Sequence, residues 1–314
     1  MEDRLKKDPF DLCFRFVTSV GALIVVALVL GIFYALLSES LIAIKKFGLW
    51  GFIFSTEWDP VQEVFGAGAS LFGTLVTTLV SLLFAVPVAL GIAIFVTEIA
   101  PGPLKSFVST GVELLAAIPS IIYGMWGLFT LAPIMAEHIE PALQASLGKV
   151  PLIGKLFEGT PMGIDLFTAS VILSIMIIPF TASIARDSFN LTPSVVKESA
   201  YAMGATKWEV IKDVVLPYSK LGVYGGVVLS LGRALGETMA VAFVLGNTHQ
   251  ITTSLFEAAS TITVTLANEF TEADGDVYLS SLYYLALILF VLSFITLAGA
   301  KVFLLKVQTR GTKG

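Results

Sequence analysis

Six long apolar stretches divide the chain, covering about residues 16–37, 71–97, 107–135, 164–185, 221–245 and 282–303. Within each stretch the apolar positions are continuous rather than alternating. Each therefore reads as a helix and not as a strand of a closed barrel. Crossing a hydrocarbon core of ~30 Å takes ~20 residues of helix, which each stretch supplies. Pro87, Pro119 and Pro179 fall inside three of them. In a bundle, neighbouring helices satisfy the carbonyls that proline frees, so kinked spans are predicted rather than breaks. The polar segments 38–70, 136–163 and 246–281 on one side are too short for folded domains, and Trp50 and Trp58 belong at that interface. A single membrane domain over 1–314 is the economical reading, with a longer polar loop, 186–217, on the other side.

Composition agrees. The chain has 314 residues, 56% of them apolar and only 14% charged, with a mean hydropathy of +0.88. An ordinary soluble domain carries about a quarter charged residues. Soluble enzymes, nucleic-acid binders and disordered scaffolds are thereby excluded, leaving a polytopic all-α membrane protein surrounded by lipid. The first apolar run is too long for a signal-peptide core and no small-residue cleavage site follows it, so it reads as a retained span. Cys13 is the sole cysteine and supports neither a disulfide framework nor a zinc cluster. His138 and His249 lie far apart in polar stretches and read as plain loop residues.

The net charge of −5 conceals an asymmetry. With the N-terminus inside, one face holds Arg4, Lys6, Lys7, Arg15, Lys105, Arg186, Lys197, Lys207, Lys212, Lys220, Lys301, Lys306, Arg310 and Lys313. The opposite loops hold only Lys45, Lys46, Lys149 and Lys155. The bias of basic residues toward the cytoplasm predicts that both termini are cytoplasmic. The outer loops are acidic, with Glu257, Glu269, Glu272, Asp274 and Asp276 in the last of them.

The inner loop carries a structural signature. Thr192 and Pro193 open a short helix that Gly204 ends in a left-handed conformation. Thr206 and Glu209 form a capping box for a second helix. Trp208, Ile211 and Val215 share one stripe of it, Lys207 and Lys212 face water, and Pro217 marks its end or a kinked entry to the fifth span. Helices this short are marginal alone in water. The pair either packs on its own bundle or docks on a partner.

Three charges lie within apolar stretches. Arg233 and Glu237 are four residues apart and are predicted to share a helix face. An ionisable group inside a membrane is a candidate for function, and arginine forks well onto a tetrahedral oxyanion. The pair is either a cationic point on an anion's path, with Glu237 orienting Arg233, or a structural ion pair fixing helix register. Glu113, two turns from the inner end of its stretch, is the third candidate. Gly222 with Gly226, and Gly232 with Gly236, have the spacing of close helix packing. The chain contains no Gly-x-x-x-x-Gly-Lys-Ser/Thr loop, so it is not read as an ATPase.

The run Glu198-Ser199-Ala200, then Gly204, then Val214-Val215-Leu216-Pro217 resembles the EAA loop of ABC-importer permeases, with Ser199 and Val214 as mild departures. Trp58-Asp59-Pro60, Phe65-Gly66, the 113–120 stretch and the 232–240 stretch together resemble phosphate-importer permeases of the PstC type, over roughly residues 10–305. That resemblance implies a type I ABC importer permease fold in the inner membrane. It implies coupling to an ATPase through Glu198, Ala200, Gly204, Trp208, Leu216 and Pro217, and a substrate pathway involving Arg233, Glu237 and Glu113. It further implies a PstA-type permease partner, two PstB-type ATPases and a PstS-type phosphate-binding protein. ATP and Mg would be used by the partner ATPase, with no cofactor bound by this chain. Permeases for sulfate or molybdate, and a carrier driven by an ion gradient, are the alternatives. Acidic outer loops are poor electrostatics for collecting a dianion, which favours hand-over from a binding protein.

Overall fold

The computed structural model describes residues 9–151 and 153–311. Arg4, Lys6, Lys7 and Lys313 of the basic face lie outside the described residues. The described chain is helical almost throughout, and six helices are long and apolar enough to cross a membrane. In chain order, α1 (Pro9–Glu39) is followed by the short α2 (Leu41–Phe47) and α3 (Leu49–Phe54). Next come α4 (Gly68–Ile99), α5 (Gly102–Ala116), α6 (Ser120–Ser146) and α7 (Leu166–Asn190). The loop helix α8 (Ser194–Ala202), α9 (Lys207–Leu235), the single turn α10 (Met239–Ala242), α11 (Ile262–Glu269) and α12 (Asp276–Gly311) complete the order.

The helices are buried unequally. α7 is the central post, with two thirds of its apolar window buried inside the chain, whereas α1 buries none of its window. α1 leans on α12, where Phe33 meets Phe290 at 5.9 Å between ring centroids. The main core is formed by Leu166, Ile172, Leu173 and Ile177 of α7 with Ala85 of α4, Tyr123 of α6, Ala234 of α9 and Val244. A second cluster, Phe52, Phe65, Ile262, Leu282 and Leu285, fastens α3 and α11 to α12. A third joins the ends of α4 and α7 to the loop after α7. Gly222 and Gly226 bring α9 onto α7: an added Cβ would fall 2.2 Å from Ser188 Oγ and 2.9 Å from Ile184 Cγ2, respectively. Gly232 faces Leu297 of α12, while Gly236 has no such contact and closes α9.

Proline shapes the spans in two ways. Pro87 and Pro179 are absorbed inside α4 and α7. Four other prolines each stand two residues beyond a π-helical stretch. Phe95–Ile99 precedes Pro101, Gly127–Leu131 precedes Pro133, Met135–Ile139 precedes Pro141, and Val210–Val215 precedes Pro217. Proline offers no N–H and crowds the carbonyl one turn back, and a wider preceding turn relieves that crowding. The helix thus runs through Pro217 without a break, so the predicted end there is corrected.

Two predicted spans are corrected as well. The third, placed at 107–135, is two helices: α5 stops at Ala116, and α6 begins afresh after Pro119, whose ring disfavours helical geometry in Ile118. The fifth, placed at 221–245, stops at Leu235. Gly236, Glu237 and Thr238 interrupt it before α10. The connections at the α11 end are also more ordered than plain loops, since they contain α2, α3, α11 and a 3-10 turn at Gly154–Phe157.

At Gly73 of α4 an added Cβ would sit 2.0 Å from the Ser260 carbonyl oxygen, whereas at Gly21 it would meet nothing within 4 Å. Gly73→Ala is therefore expected to destabilise the purified chain by about 1–3 kcal/mol, the range for overpacking a close contact. Gly21→Ala should leave the thermal midpoint in detergent unchanged, and equal midpoints for the two variants would contradict the packing described.

Candidate functional site: the inner loop and the break in α9

The loop after α7 is built as its capping residues dictate. α8 ends at Ala202, and Gly204 follows with φ +88°. Gly204 N–H donates to Tyr201 O at 2.9 Å and Ala205 N–H to Ala200 O at 3.1 Å, which close the helix end. Thr206 and Glu209 complete a reciprocal box: the Thr206 N–H donates to Glu209 Oε2 at 2.7 Å, and the Glu209 N–H donates back to Thr206 Oγ1 at 3.4 Å. Thr192 is not the cap of α8. Its hydroxyl instead meets Ser219 Oγ at 3.4 Å, tying the start of the loop to α9.

Two faces result. Ala200, Ala205, Val210 and Val215 pack on Ala93 of α4 and on Ala185 and Phe189 of α7. Outward, Leu191, Val195, Tyr201, Met203 and Trp208 are exposed, Met203 at 88% and Trp208 at 63%. Trp208 therefore does not share the buried stripe of Ile211 and Val215, because the π-helical turn from Val210 shifts the register between them. Glu198 and Pro217 are exposed and Leu216 is partly buried. An exposed apolar patch on the loop of a membrane bundle marks an interaction surface.

Ion pairs brace this end. Lys197 Nζ lies 2.5 Å from Glu98 Oε1 at the end of α4. Arg186 of α7 reaches Glu113 of α5 at 2.7 Å, and Ser109 Oγ at 3.1 Å. The structure thus engages Glu113 with the end of α7, far from Arg233 along the chain. Sequence reasoning counted Arg186 and Lys197 only as members of a basic face, because partners on other helices leave no spacing signal.

Arg233 stands in the last turn of α9, and Glu237 lies beyond it, so the two do not share a helix face. Among the described residues Arg233 makes no ion pair. Its guanidinium lies over the Phe180 ring, 5.9 Å from the centroid. Glu237 serves the interruption instead: Oε1 accepts the Ala240 N–H at 3.3 Å, and its carbonyl accepts the Thr263 hydroxyl at 2.8 Å. The predicted pairing is corrected by Gly236, which ends the helix between them. An exposed arginine with no carboxylate partner beside a break in a membrane span is suited to an anion.

A third constellation, absent from the sequence reading, lies at the α11 end. Glu269 Oε2 accepts from Trp58 Nε1 and from the Tyr278 hydroxyl, each at 2.7 Å. Glu269 Oε1 lies 3.1 Å from His249 Nε2, and His249 Nδ1 lies 3.3 Å from Ser70 Oγ of α4. Trp58 stacks on His249 with centroids 5.4 Å apart. His249 is therefore a structural hydrogen-bonding residue rather than a plain loop residue, and His138 sits in the π-helical turn of α6. The five residues are 58, 70, 249, 269 and 278, too scattered for any motif.

The fold and the loop define a transport permease. Residues 71–307 match the family described as "Binding-protein-dependent transport system inner membrane component". The chain is 50% identical over 300 residues to the "Phosphate transport system permease protein PstC" of Mesorhizobium japonicum, covering 96% of this chain and 91% of that relative. It is 48% identical over 301 residues to the protein of the same name from Haemophilus influenzae, with 96% and 94% covered. The chain belongs to the PstC family of phosphate ABC transporter permease subunits. Its fold is shared by a solved bacterial alginate ABC transporter in complex with an alginate pentasaccharide-bound periplasmic protein. There the TM-score is 0.60 at 17% identity, covering 94% of this chain and 96% of that one. A permease of this class is a multi-pass membrane protein that works with an ATPase and further subunits.

Burial alone would raise the pKa of Glu269, but hydrogen bonds from His249, Tyr278 and Trp58 outweigh it and hold the carboxyl below its ordinary value. A depressed folded pKa stabilises above the unfolded value of 4.5 and is lost as the carboxylate protonates. The thermal midpoint of the purified protein should therefore fall on acidification from neutrality to about pH 4, where carboxylates titrate. Glu269→Gln should lower the neutral midpoint and flatten that slope. An unchanged slope would show that the network does not use the ionised carboxylate.

Proposed function

We propose that this chain forms half of the translocation pathway of an ATP-driven importer of inorganic phosphate. In this reading it pairs with a PstA-type permease, two PstB-type ATPases dock on the face bearing α8, and a PstS-type binding protein delivers phosphate at the face bearing α11. Both termini lie in the cytoplasm, a placement supported by the fourteen basic residues on that face against four on the other. The chain itself holds no cofactor; ATP and Mg belong to the ATPase.

The observation that carries the pathway is Arg233, exposed in the single chain, without an ion pair among the described residues and set where α9 is interrupted. A guanidinium donates two parallel hydrogen bonds to a tetrahedral oxyanion. With Glu237 turned to the backbone of the break, the positive charge is left for cargo. Membrane burial of a bare cation is costly, and a dianion crossing between two permease halves offsets that cost transiently. Energy enters at the opposite site. Met203, Tyr201, Trp208 and the exposed Glu198 form the surface on which a motor protein seats. Gly204 holds the bend between its two halves.

Arg233→Gln should leave the complex assembled while phosphate uptake into proteoliposomes falls about ten- to a hundredfold, the equivalent of about 1.5–3 kcal/mol for a charge-assisted hydrogen bond. Full uptake would remove Arg233 from the path. Excess sulfate should leave labelled phosphate uptake intact, and competition equal to that of phosphate would favour the broader oxyanion permease. Gly204→Val forces a β-branched residue into a left-handed conformation that costs about 1–3 kcal/mol. ATPase recovered with the purified permease should drop accordingly, and undiminished recovery would contradict the docking surface.

A further inference from the structure

The loop after α7 is covalently continuous with α7 and α9 but is bolted to a third span. Lys197 precedes the exposed Glu198 on α8, and its Nζ lies 2.5 Å from Glu98 Oε1. The Glu98 side chain is only 8% exposed and that of Lys197 20%. Among the described residues, Lys197 is the hydrogen-bonding partner of the Glu98 carboxylate. The rest of the contact is apolar, with Leu90, Ala93 and Ile94 of α4 in one cluster with Ala200, Ala205, Val210 and Val215. Apolar contacts resist being pushed together but are non-directional and hold weakly against shear. A largely buried ion pair resists both, because separating it leaves an uncompensated charge in a poorly solvated site. Glu98 also lies in the π-helical turn Phe95–Ile99 that ends α4, a wide turn of the kind found at functional positions.

The far end of α4 is equally well fastened. Gly73 lies against the Ser260 carbonyl with no room for a Cβ. Thr74 Oγ1 accepts the Ile262 N–H at 3.0 Å, and Ser70 Oγ meets Thr265 Oγ1 at 3.1 Å. The segment gripped there also bonds the break in α9, through the Thr263 hydroxyl on the Glu237 carbonyl. α4 therefore runs from the loop that faces the motor to the segment that braces the interruption beside Arg233.

We propose that Glu98 and Lys197 are a positioning pair through which the inner loop pulls on α4, and that α4 carries this displacement to residues 260–265 and the break in α9. The proposal rests on the reading of that loop as the ATPase-docking element, and it assigns α4 a transmission role that continuity of the chain would otherwise leave to α9.

The test uses the complete importer in proteoliposomes, with phosphate taken up per ATP hydrolysed as the readout. ATPase recovery with the unmodified chain is measured first, since its absence would sink the docking reading itself. Glu98→Gln should keep the ATPase bound and hydrolysing while uptake per ATP falls about fivefold, as one half of a buried pair is removed. The exchanged pair, Glu98→Lys with Lys197→Glu, should return the ratio to at least about half the original, because the attraction survives reversal. A general packing defect would not be repaired by the exchange. An unchanged ratio in Glu98→Gln, or an exchanged pair that restores neither assembly nor the ratio, would overturn the proposal and leave the drive to α9.

Discussion

A helix inside a bilayer has no water to complete its hydrogen bonds, so every interruption must find its partners within the protein. That constraint governs this molecule. At the gap before α6 the Tyr123 hydroxyl donates to the Leu115 carbonyl at 2.9 Å. At the gap after α9 the Glu237 carboxylate and the Thr263 hydroxyl serve the exposed backbone. Where no break is made, π-helical turns absorb the nearby prolines. Both breaks are thereby served by named side chains, Tyr123 at the first and Glu237 and Thr263 at the second.

The same scarcity of water makes charge placement informative. Carboxylates and amines near the two ends are paired across helices: Lys197 with Glu98, Arg186 with Glu113, and Glu269 with its donors Trp58, Tyr278 and His249. Arg233 stands apart: among the described residues it forms no ion pair, and its guanidinium lies over the Phe180 ring. Asp165 and Glu140 are buried as well, with no ion pair among the described residues, and Asp165 Oδ2 has no hydrogen-bond partner there.

Mechanically, the chain has a rigid centre and lightly attached edges. α7 is buried by α4, α9 and α10, whereas α1 buries none of its apolar window and touches little besides α12. Small residues on α9 allow its close approach to α7, a contact with little compliance.

Much of this was written in the linear pattern. Six long apolar helices, Gly204 at a left-handed bend and the Thr206–Glu209 box depend on local chemistry, on span length and on neighbours a few residues apart, and the structure has each of them, with the third and fifth spans displaced along the chain. The tertiary structure decided what depends on contacts between distant segments. A glycine at 236 turned a shared face into a break, so Glu237 left Arg233. Glu113 found Arg186, Lys197 found Glu98, and His249 found Glu269 and Ser70, because hydrogen bonds between helices follow packing and carry no periodicity along the chain. Helix stability in lipid is a local property of the backbone; pairing of the charges those helices carry is a property of how they meet.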